Sequence, residues 1–401
     1  MSPVLTPRDE ADLVEIVMQA RAKRTTLAVE GHGTRRGLGR PVAAAATLSL
    51  AGLSGITLHE PAELVLTARA GTPLGEIEAA LAAHGQELAF EPIDHSALYG
   101  HAARAGTIGG TVAVNASGSR RLKVGAARDH LLGFRAVNGL GDSFKSGGRV
   151  MKNVTGFDLS KVICGSFGTL AVMSEVTLKV LPRPETEETL AILGLDDATA
   201  GAVMREASGL PQEVSCLAHR PAGAGGPFGE RAATLMRLEG PAVSVAGRKA
   251  SLTARFAALG AIEVLDVAAS RATWEAMREA TAVAQVDGPV WRVSVAPSDG
   301  PALVARLRAA GLPLERHLYD WAGGLVWLGF ASGGPEIGPA VRGAVAGLGG
   351  HATLMRGCEA ERAGSEPFQP QPPALAALSA RVKAAFDPDG LFEPGRMSRG
   401  V

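Results

Sequence analysis

The chain has 401 residues, with 40 Lys+Arg balanced by 40 Asp+Glu, 46% hydrophobic residues and 51 glycines. The length predicts two or three domains, and zero net charge excludes a broad basic field for nucleic acid or a membrane surface. Cys164, Cys216 and Cys358 are too few and too scattered for a disulfide framework, or for a four-cysteine iron–sulfur or zinc site within the chain.

Thr6-Pro7-Arg8-Asp9 reads as a helix start, with Thr6 as the cap. Leu13, Val14, Ile16, Val17 and Ala20 then supply one apolar helix face. The β-prone run Thr25–Glu30 leads into the glycine-rich segment Gly31–Gly39. Further strands are predicted at 55–59, 64–68 and 86–90, around a helix whose inner face is Leu74, Ile77, Ala80 and Leu81. The alternation is that of an α+β or α/β domain. Fourteen of the glycines fall within 100–170, among strand-like pieces at 134–137 and 170–180.

Pro182-Arg183-Pro184 marks the best domain boundary. Beyond it, strands at 190–193, 214–218, 234–238, 262–264, 290–295 and 325–330 alternate with helices at 198–208, 243–259, 271–284, 301–310 and 340–348. This pattern predicts a ferredoxin-like sheet with helices on one face. Residues 362–374 form a polar, Pro-rich connector. A helix over 375–386 follows, and Leu375, Leu378, Val382 and Ala385 are spaced to dock it on the first domain. The domains expected are 1–183, 184–365 and a returning segment 366–401. The first residues lack the basic and apolar regions of a signal peptide, and no apolar run is long enough to span a membrane. The expected location is therefore cytoplasmic.

Two glycine-rich segments carry the chemistry. Closely spaced glycines let successive backbone N–H groups face one concavity and bind phosphate oxygens. Glu30-Gly31-His32-Gly33-Thr34-Arg35-Arg36-Gly37 is the first; no Walker lysine accompanies it. The second runs from Gly106-Thr107-Ile108-Gly109-Gly110 to Asn115-Ala116-Ser117-Gly118. It continues through Lys152-Asn153-Val154-Thr155-Gly156-Phe157-Asp158 to Gly165-Ser166-Phe167-Gly168-Thr169. Their order and spacing resemble the FAD-binding domain of the vanillyl-alcohol oxidase / p-cresol methylhydroxylase flavoproteins. Together with Asp320–Leu328, Gly350–Arg356 and the closing Phe386–Arg396, they are similar to the FAD-binding subunits of bacterial glycolate oxidase.

That resemblance implies an α+β fold, with a two-subdomain FAD-binding domain plus a ferredoxin-like α/β cap. It implies that Gly31, His32, Gly33, Thr34 and Gly37 cradle the FAD pyrophosphate, with Pro92 near the flavin. Gly106, Thr107, Gly109 and Gly110 would lie along the diphosphate and ribose, and Asn115, Ser117 and Gly118 near the isoalloxazine. Gly165, Gly168, Thr169 and Val172 would form the adenine edge, with Arg396 returning to the cofactor. Thr34, rather than His32, occupies the place where some relatives attach FAD covalently, so the expectation is non-covalent FAD. Glu393 stands where many relatives have Asn.

The resemblance further implies oxidation of glycolate or another 2-hydroxy acid, with electrons passed to a second FAD subunit and an iron–sulfur subunit that hold the chain at the inner membrane's edge. A stand-alone oxidase of hydroxy acids or sugar lactones, and a non-catalytic flavin-binding assembly subunit, are the alternatives. A 2-hydroxy acid needs a cation for its carboxylate and a base for its hydroxyl proton. Downstream of 220 there is no His-rich metal motif, and no metal site is expected. Arg292, His317, His351 and Arg356 are the catalytic candidates, with Arg316, Tyr319 and Asp320 beside them. Cys164 is expected as a small buried hydrophobe, Trp291, Trp321 and Trp327 as packing anchors, and Arg120-Arg121-Leu122-Lys123 as a solvated or phosphate-facing basic cluster.

Overall fold

The computed structural model describes residues 3–149 and 156–399. Lys152, Asn153, Val154 and Thr155 of the second motif therefore lie outside the described residues. The chain divides into two compact units. One comprises Met1–Ser117, Gly125–Arg183 and Pro370–Val401; the other comprises Gly118–Val124 and Pro184–Gln369.

The first unit opens on the helix Glu10–Ala22, which buries Leu13, Val17 and Ala20. Its cap is Asp9 rather than Thr6: the Asp9 carboxylate accepts from the Asp12 N–H at 2.8 Å. An acidic cap next to the free amides of the first turn is the better electrostatic match. Val4–Leu5, Ala46–Ser49 and Leu27–Glu30 form a three-stranded parallel sheet in that order. A second, antiparallel sheet runs Ile56–Glu60, Val65–Arg69, Ala171–Lys179, Leu131–Asn138, Ser143–Gly147. Leu48, Leu66, Ile77, Ile108, Val112, Phe134 and Val176 belong to one core. The strand expected over 86–90 shrinks to Gln86–Glu87, paired with Leu181–Pro182, while Phe90 is buried just beyond it.

The chain returns to this unit through the helix Pro373–Phe386. Only its last turns dock. Val382 and Phe386 pack on the core, whereas Leu375 and Leu378 are each 47% exposed, against expectation. The segment after the helix lies along Leu27–Glu30: Leu27 N–H donates to the Leu391 carbonyl at 2.7 Å, and Glu393 N–H donates to the Leu27 carbonyl at 2.9 Å.

The second unit is one eight-stranded sheet in which every neighbouring pair is antiparallel. Thr186–Leu193, helix Asp197–Ser208, Cys216–Arg220, Ala233–Gly240, helix Ala242–Phe256 and Ile262–Leu265 form a β-α-β-β-α-β half. Val290–Ser294, helix Gly300–Ala309, Leu314–Asp320, Leu325–Phe330, helix Ile337–Val345 and His351–Arg356 repeat it. Within each half the spatial strand order is fourth, first, third, second. The two halves meet at their second strands, where His219 pairs with Tyr319. The unit is thus two ferredoxin-like halves, a duplication the sequence does not display as a repeat.

Strand alternation assigns the faces. Trp291, Val293, Val326, Leu328, Ala352 and Leu354 point to the helices and form their core. Arg292 lies opposite Trp327 and Thr353, and Ser294 opposite His351, so these residues share the other face.

Candidate functional site

The first unit contains a cleft, built where the strand Leu27–Glu30 runs into its glycine loop. The helix Ile108–Ala113, with Phe167, Gly168, Ala171, Val172 and Met173, completes its walls. Two glycines set its width. A Cβ on Gly31 would collide with Thr107 Oγ1, which also caps the helix by accepting from the Gly110 N–H at 3.3 Å. A Cβ on Gly109 would stand 2.7 Å from the Ala70 carbonyl oxygen. Both positions let two walls of the cleft pack closer together than any side chain would allow.

Arg35 lines the cleft but is occupied in bracing the loop. Its guanidinium donates to the Ile93 carbonyl at 2.7 Å and to Thr111 Oγ1 at 3.1 Å. Arg36 pairs with Glu30. Arg396 arrives from the returning segment, donating to the Arg35 carbonyl at 3.0 Å and pairing with Glu393 at 3.1 Å. Its Nε is buried and has no hydrogen-bond partner among the described residues. Glu393 is almost wholly buried and accepts from the Val29 N–H at 2.6 Å. Burial pushes its pKa up, and the Arg396 charge opposes that shift. The Gly109 amide is spent on the Ala70 carbonyl at 2.9 Å; the unspent buried Nε of Arg396 beside the bare Gly31 loop is the donor that suits the diphosphate of FAD.

Of the residues expected at FAD, the cleft brings together Gly31, His32, Gly33, Thr34, Thr107, Gly109, Gly110, Gly168, Val172 and Arg396. The others lie elsewhere. Gly37 packs on Tyr99, and the Pro92 carbonyl accepts from Arg104 at 3.2 Å. Gly106 donates its N–H to Asp94 at 2.9 Å, and Gly165 donates to the Val112 carbonyl at 3.1 Å. Asn115 Oδ1 accepts from Arg128 N–H and Ser117 Oγ from Ala127 N–H, while Thr169 Oγ1 donates to the Ser166 carbonyl. Gly118 belongs to the second unit, its carbonyl accepting from Trp321 Nε1 at 3.0 Å. Sequence reasoning missed Val29, Ala70, Phe167 and Met173 as wall residues. Their apolar side chains look like any other core position along the chain.

The four catalytic candidates fall into three places in the second unit. His317 faces the helices: its Nε2 lies 2.8 Å from Asp197 Oδ2, to which Tyr319 OH also donates at 2.8 Å. His219 completes that buried group, 3.6 Å from Asp197 Oδ1. Arg356 donates to the carbonyls of Ala284, Val286 and Gly288, tying down the turn before Val290–Ser294. Arg292 and His351 share the opposite face. The Arg292 guanidinium carbon lies 4.9 Å from the Trp321 ring centroid, and that of Arg121 lies 4.5 Å from it. Burial and the Arg121 charge bring the Arg292 pKa down to about 10. Partial burial, then Arg292 and Arg121, lower that of His351.

The basic cluster is only partly solvated: Lys123 is exposed, whereas Arg120 pairs with Glu239 at 3.4 Å and Arg121 stacks on Trp321. Asp320 holds this corner, accepting from Ser119 Oγ at 2.6 Å and from the Trp321 N–H at 2.7 Å. Cys164 is buried, donates to the Val112 carbonyl, and has its thiol pKa pushed up to about 12 by burial. It is a packing residue. Among the described residues no group of three or more His, Cys, Asp or Glu could hold a metal, and no helix is long and apolar enough to cross a membrane.

Residues 1–147 match the family model described as FAD binding domain. The glycolate oxidase subunit GlcE of Escherichia coli (strain K12) is 36% identical over 387 residues, covering 96% of each chain. The glycolate oxidase subunit GlcD of Bacillus subtilis (strain 168) is 30% identical over 191 residues, 47% of this chain and 39% of that one. Among solved structures, p-cresol methylhydroxylase superposes with a TM-score of 0.71 at 13% identity, covering 98% of this chain and 88% of its own. Alkyldihydroxyacetonephosphate synthase superposes with a TM-score of 0.68 at 17% identity, covering 98% and 75%. These two likenesses establish the fold, the p-cresol methylhydroxylase type that the glycine motifs predict. With its full-length similarity to GlcE, the chain belongs to the family of FAD-binding oxidoreductases that contains the glycolate oxidase subunits.

Proposed function

We propose that this chain is the FAD-holding E-type subunit of a glycolate oxidase complex, taking part in oxidation of glycolate to glyoxylate and passing electrons to partner subunits. The observation that carries the reading is the cleft in which Gly31, Gly109 and Arg396 meet. Gly31, Gly33, Thr107 and Gly110 would hold the FAD diphosphate, with Arg396 adding charge. When bound, FAD supplies acceptance of a hydride from the carbon bearing the hydroxyl. The chain's own work is to hold the group, brace the loop through Arg35, and bind and orient the hydroxy acid.

The name of the E. coli relative, a subunit, supports a multi-chain assembly. Three cysteines supply fewer thiolates than an iron–sulfur cluster takes. Onward electron transfer therefore falls to an iron–sulfur partner and a second flavoprotein. The absent covalent-attachment histidine supports non-covalent FAD.

The test is a flavin spectrum of the purified chain, followed by anaerobic glycolate, alone and after co-expression with the two partners. A yellow chain that bleaches with glycolate, alone or in the complex, supports the reading. A colourless chain that takes up no FAD overturns it.

A further inference from the structure

Arg396 lines the cleft, and both ends of its guanidinium fork are held. Nη2 donates to the Arg35 carbonyl of the glycine loop at 3.0 Å, and Nη1 lies 3.1 Å from Glu393 Oε2. The main chain is fastened as well. Arg396 N–H donates to the Glu393 carbonyl at 3.1 Å, and the Arg396 carbonyl accepts from Arg40 N–H at 2.9 Å. Nε is buried and has no hydrogen-bond partner among the described residues. A flexible arginine is thus reduced to one orientation, with N–H groups to spare.

Glu393 is the less expected member of the pair. It is 2% exposed, and its backbone is left-handed, with φ +49°, a conformation that Asn adopts readily and Glu does not. Its carboxylate divides its two oxygens: Oε1 accepts from the Val29 N–H at 2.6 Å, and Oε2 meets Arg396. Val29 is a wall residue two positions before Gly31, whereas Glu393 is not one of the residues lining the cleft. Arg36, itself paired with Glu30, also places positive charge near Glu393. An amide side chain would satisfy the Val29 N–H without the cost of burying a charge. What the carboxylate adds is a charged hydrogen bond to Arg396.

We propose that Glu393 is a positioning residue for the cofactor, acting through Arg396. It clamps Nη1 while the Arg35 carbonyl clamps Nη2, and so holds the guanidinium in the orientation that presents its remaining N–H groups to the diphosphate of FAD. The identity of the ligand rests on the functional reading above; the clamp itself stands on the geometry. Glu393 touches no part of the cofactor. Without its carboxylate, Arg396 regains the rotamers of a long side chain, and binding the diphosphate must order it again.

The experiment titrates the full-length apoprotein with FAD and with riboflavin, which shares the isoalloxazine and ribityl chain but has no phosphate. Flavin fluorescence reads the Kd of each. In E393Q, FAD Kd is expected to rise about tenfold, the loss usual for a charged hydrogen bond, while riboflavin Kd stays within about twofold. R396Q is expected to do the same. The double variant E393Q/R396Q is expected to bind FAD no worse than R396Q, because the two residues act as one unit. E393N, whose side chain suits the left-handed backbone, replaces E393Q if that variant does not fold. A parent-like FAD Kd, or an equal loss for both flavins, leaves Glu393 as a mere staple of the returning segment and overturns the proposal. Additive losses in the double variant overturn it too, since Glu393 would then act apart from Arg396. A parent chain that binds FAD through Glu393 and Arg396 but never bleaches with glycolate sinks the oxidase reading alone. A parent chain that takes up no FAD overturns both.

Discussion

Lys383 and Asp387 form a buried ion pair one helical turn apart, with Nζ 2.6 Å from Oδ2, where the returning helix ends. Lys383 also donates to the carbonyls of Thr169 and Phe392, at 2.6 and 3.1 Å. Asp387 accepts from the N–H groups of Leu391 and Phe392, each at 2.9 Å. The pair therefore fixes the turn that carries Glu393 and Arg396 to the cleft. Removing one partner of a buried pair strands the other, at a cost of about 3–5 kcal/mol. D387A is expected to fall in that range, because it leaves an ammonium without a counter-charge. K383M should cost less, since two amides still serve the Asp387 carboxylate. Chemical denaturation of both variants checks the order, and D387A should also lose flavin on dialysis. Parent-like stability in both variants would show that the pair is not what holds the turn.

Gly31 offers a sharper probe of the cleft. G31A places a methyl group against Thr107, whose β-branched side chain caps the helix Ile108–Ala113 and cannot swing away cheaply. The variant is expected to fold, with a circular dichroism spectrum like that of the parent, yet to bind FAD at least about tenfold more weakly, overpacking of this kind typically costing about 1–3 kcal/mol. The visible flavin band per mole of purified protein reports the loss. A fully yellow G31A would mean that the loop backbone is not in contact with the cofactor.

How much of this was legible in the sequence depends on the range of the forces involved. Glycine spacing is local, so the loop around Gly31 and the segment around Gly109 could be read directly. Strand alternation is local too: Val290-Trp-Arg-Val-Ser already sets Arg292 apart from Trp291 and Val293. The strands Leu314–Asp320 and His351–Arg356 were not legible as strands, because charged and polar residues interrupt the apolar run. Face assignment separates His317, which turns to Asp197, from His351, and no linear spacing signals it. Leu375 and Leu378 misled because helical periodicity states that a face exists without stating that anything covers it. The short segment Gly118–Val124 joins the second unit through Trp321 and Asp320, contacts about two hundred residues away along the chain.

The buried group around Asp197 predicts how stability depends on pH. Burial lowers the pKa of His219 below its ordinary 6.5, with the nearby Asp197 carboxylate opposing the shift. A histidine depressed on folding is neutral in the native state and binds a proton more readily when unfolded. Its contribution is therefore complete above about pH 6.5 and is lost as the pH falls below it. Asp197 is held well below the usual carboxylate range by His219, His317 and Tyr319 against the cost of burial. Its contribution is complete above about pH 4 and is lost only in stronger acid. The Tm should thus decline from pH 7 to pH 5 and steepen below 4. H219Q should lower the Tm at pH 7.5 and flatten the upper part of the profile. An unaltered slope in that variant would place the acid sensitivity in another group.

Flavin attachment gives a test that needs no substitution. His32 lines the cleft, but its Nδ1 lies 2.7 Å from the Ala105 carbonyl and, facing an acceptor, must carry the proton and donate. Thr34, at the position corresponding to the covalent attachment point in some relatives, offers only a buried hydroxyl, far too weak a nucleophile to bond the flavin unaided. Binding then rests on amides, arginines and shape, all of which vanish on unfolding. Acid precipitation of the yellow protein is expected to leave a white pellet and a yellow supernatant, and a denaturing gel should show no fluorescent band at the mass of the chain. A pellet that stays yellow after washing would instead require a bond to the chain, and His32 would be the first residue to replace.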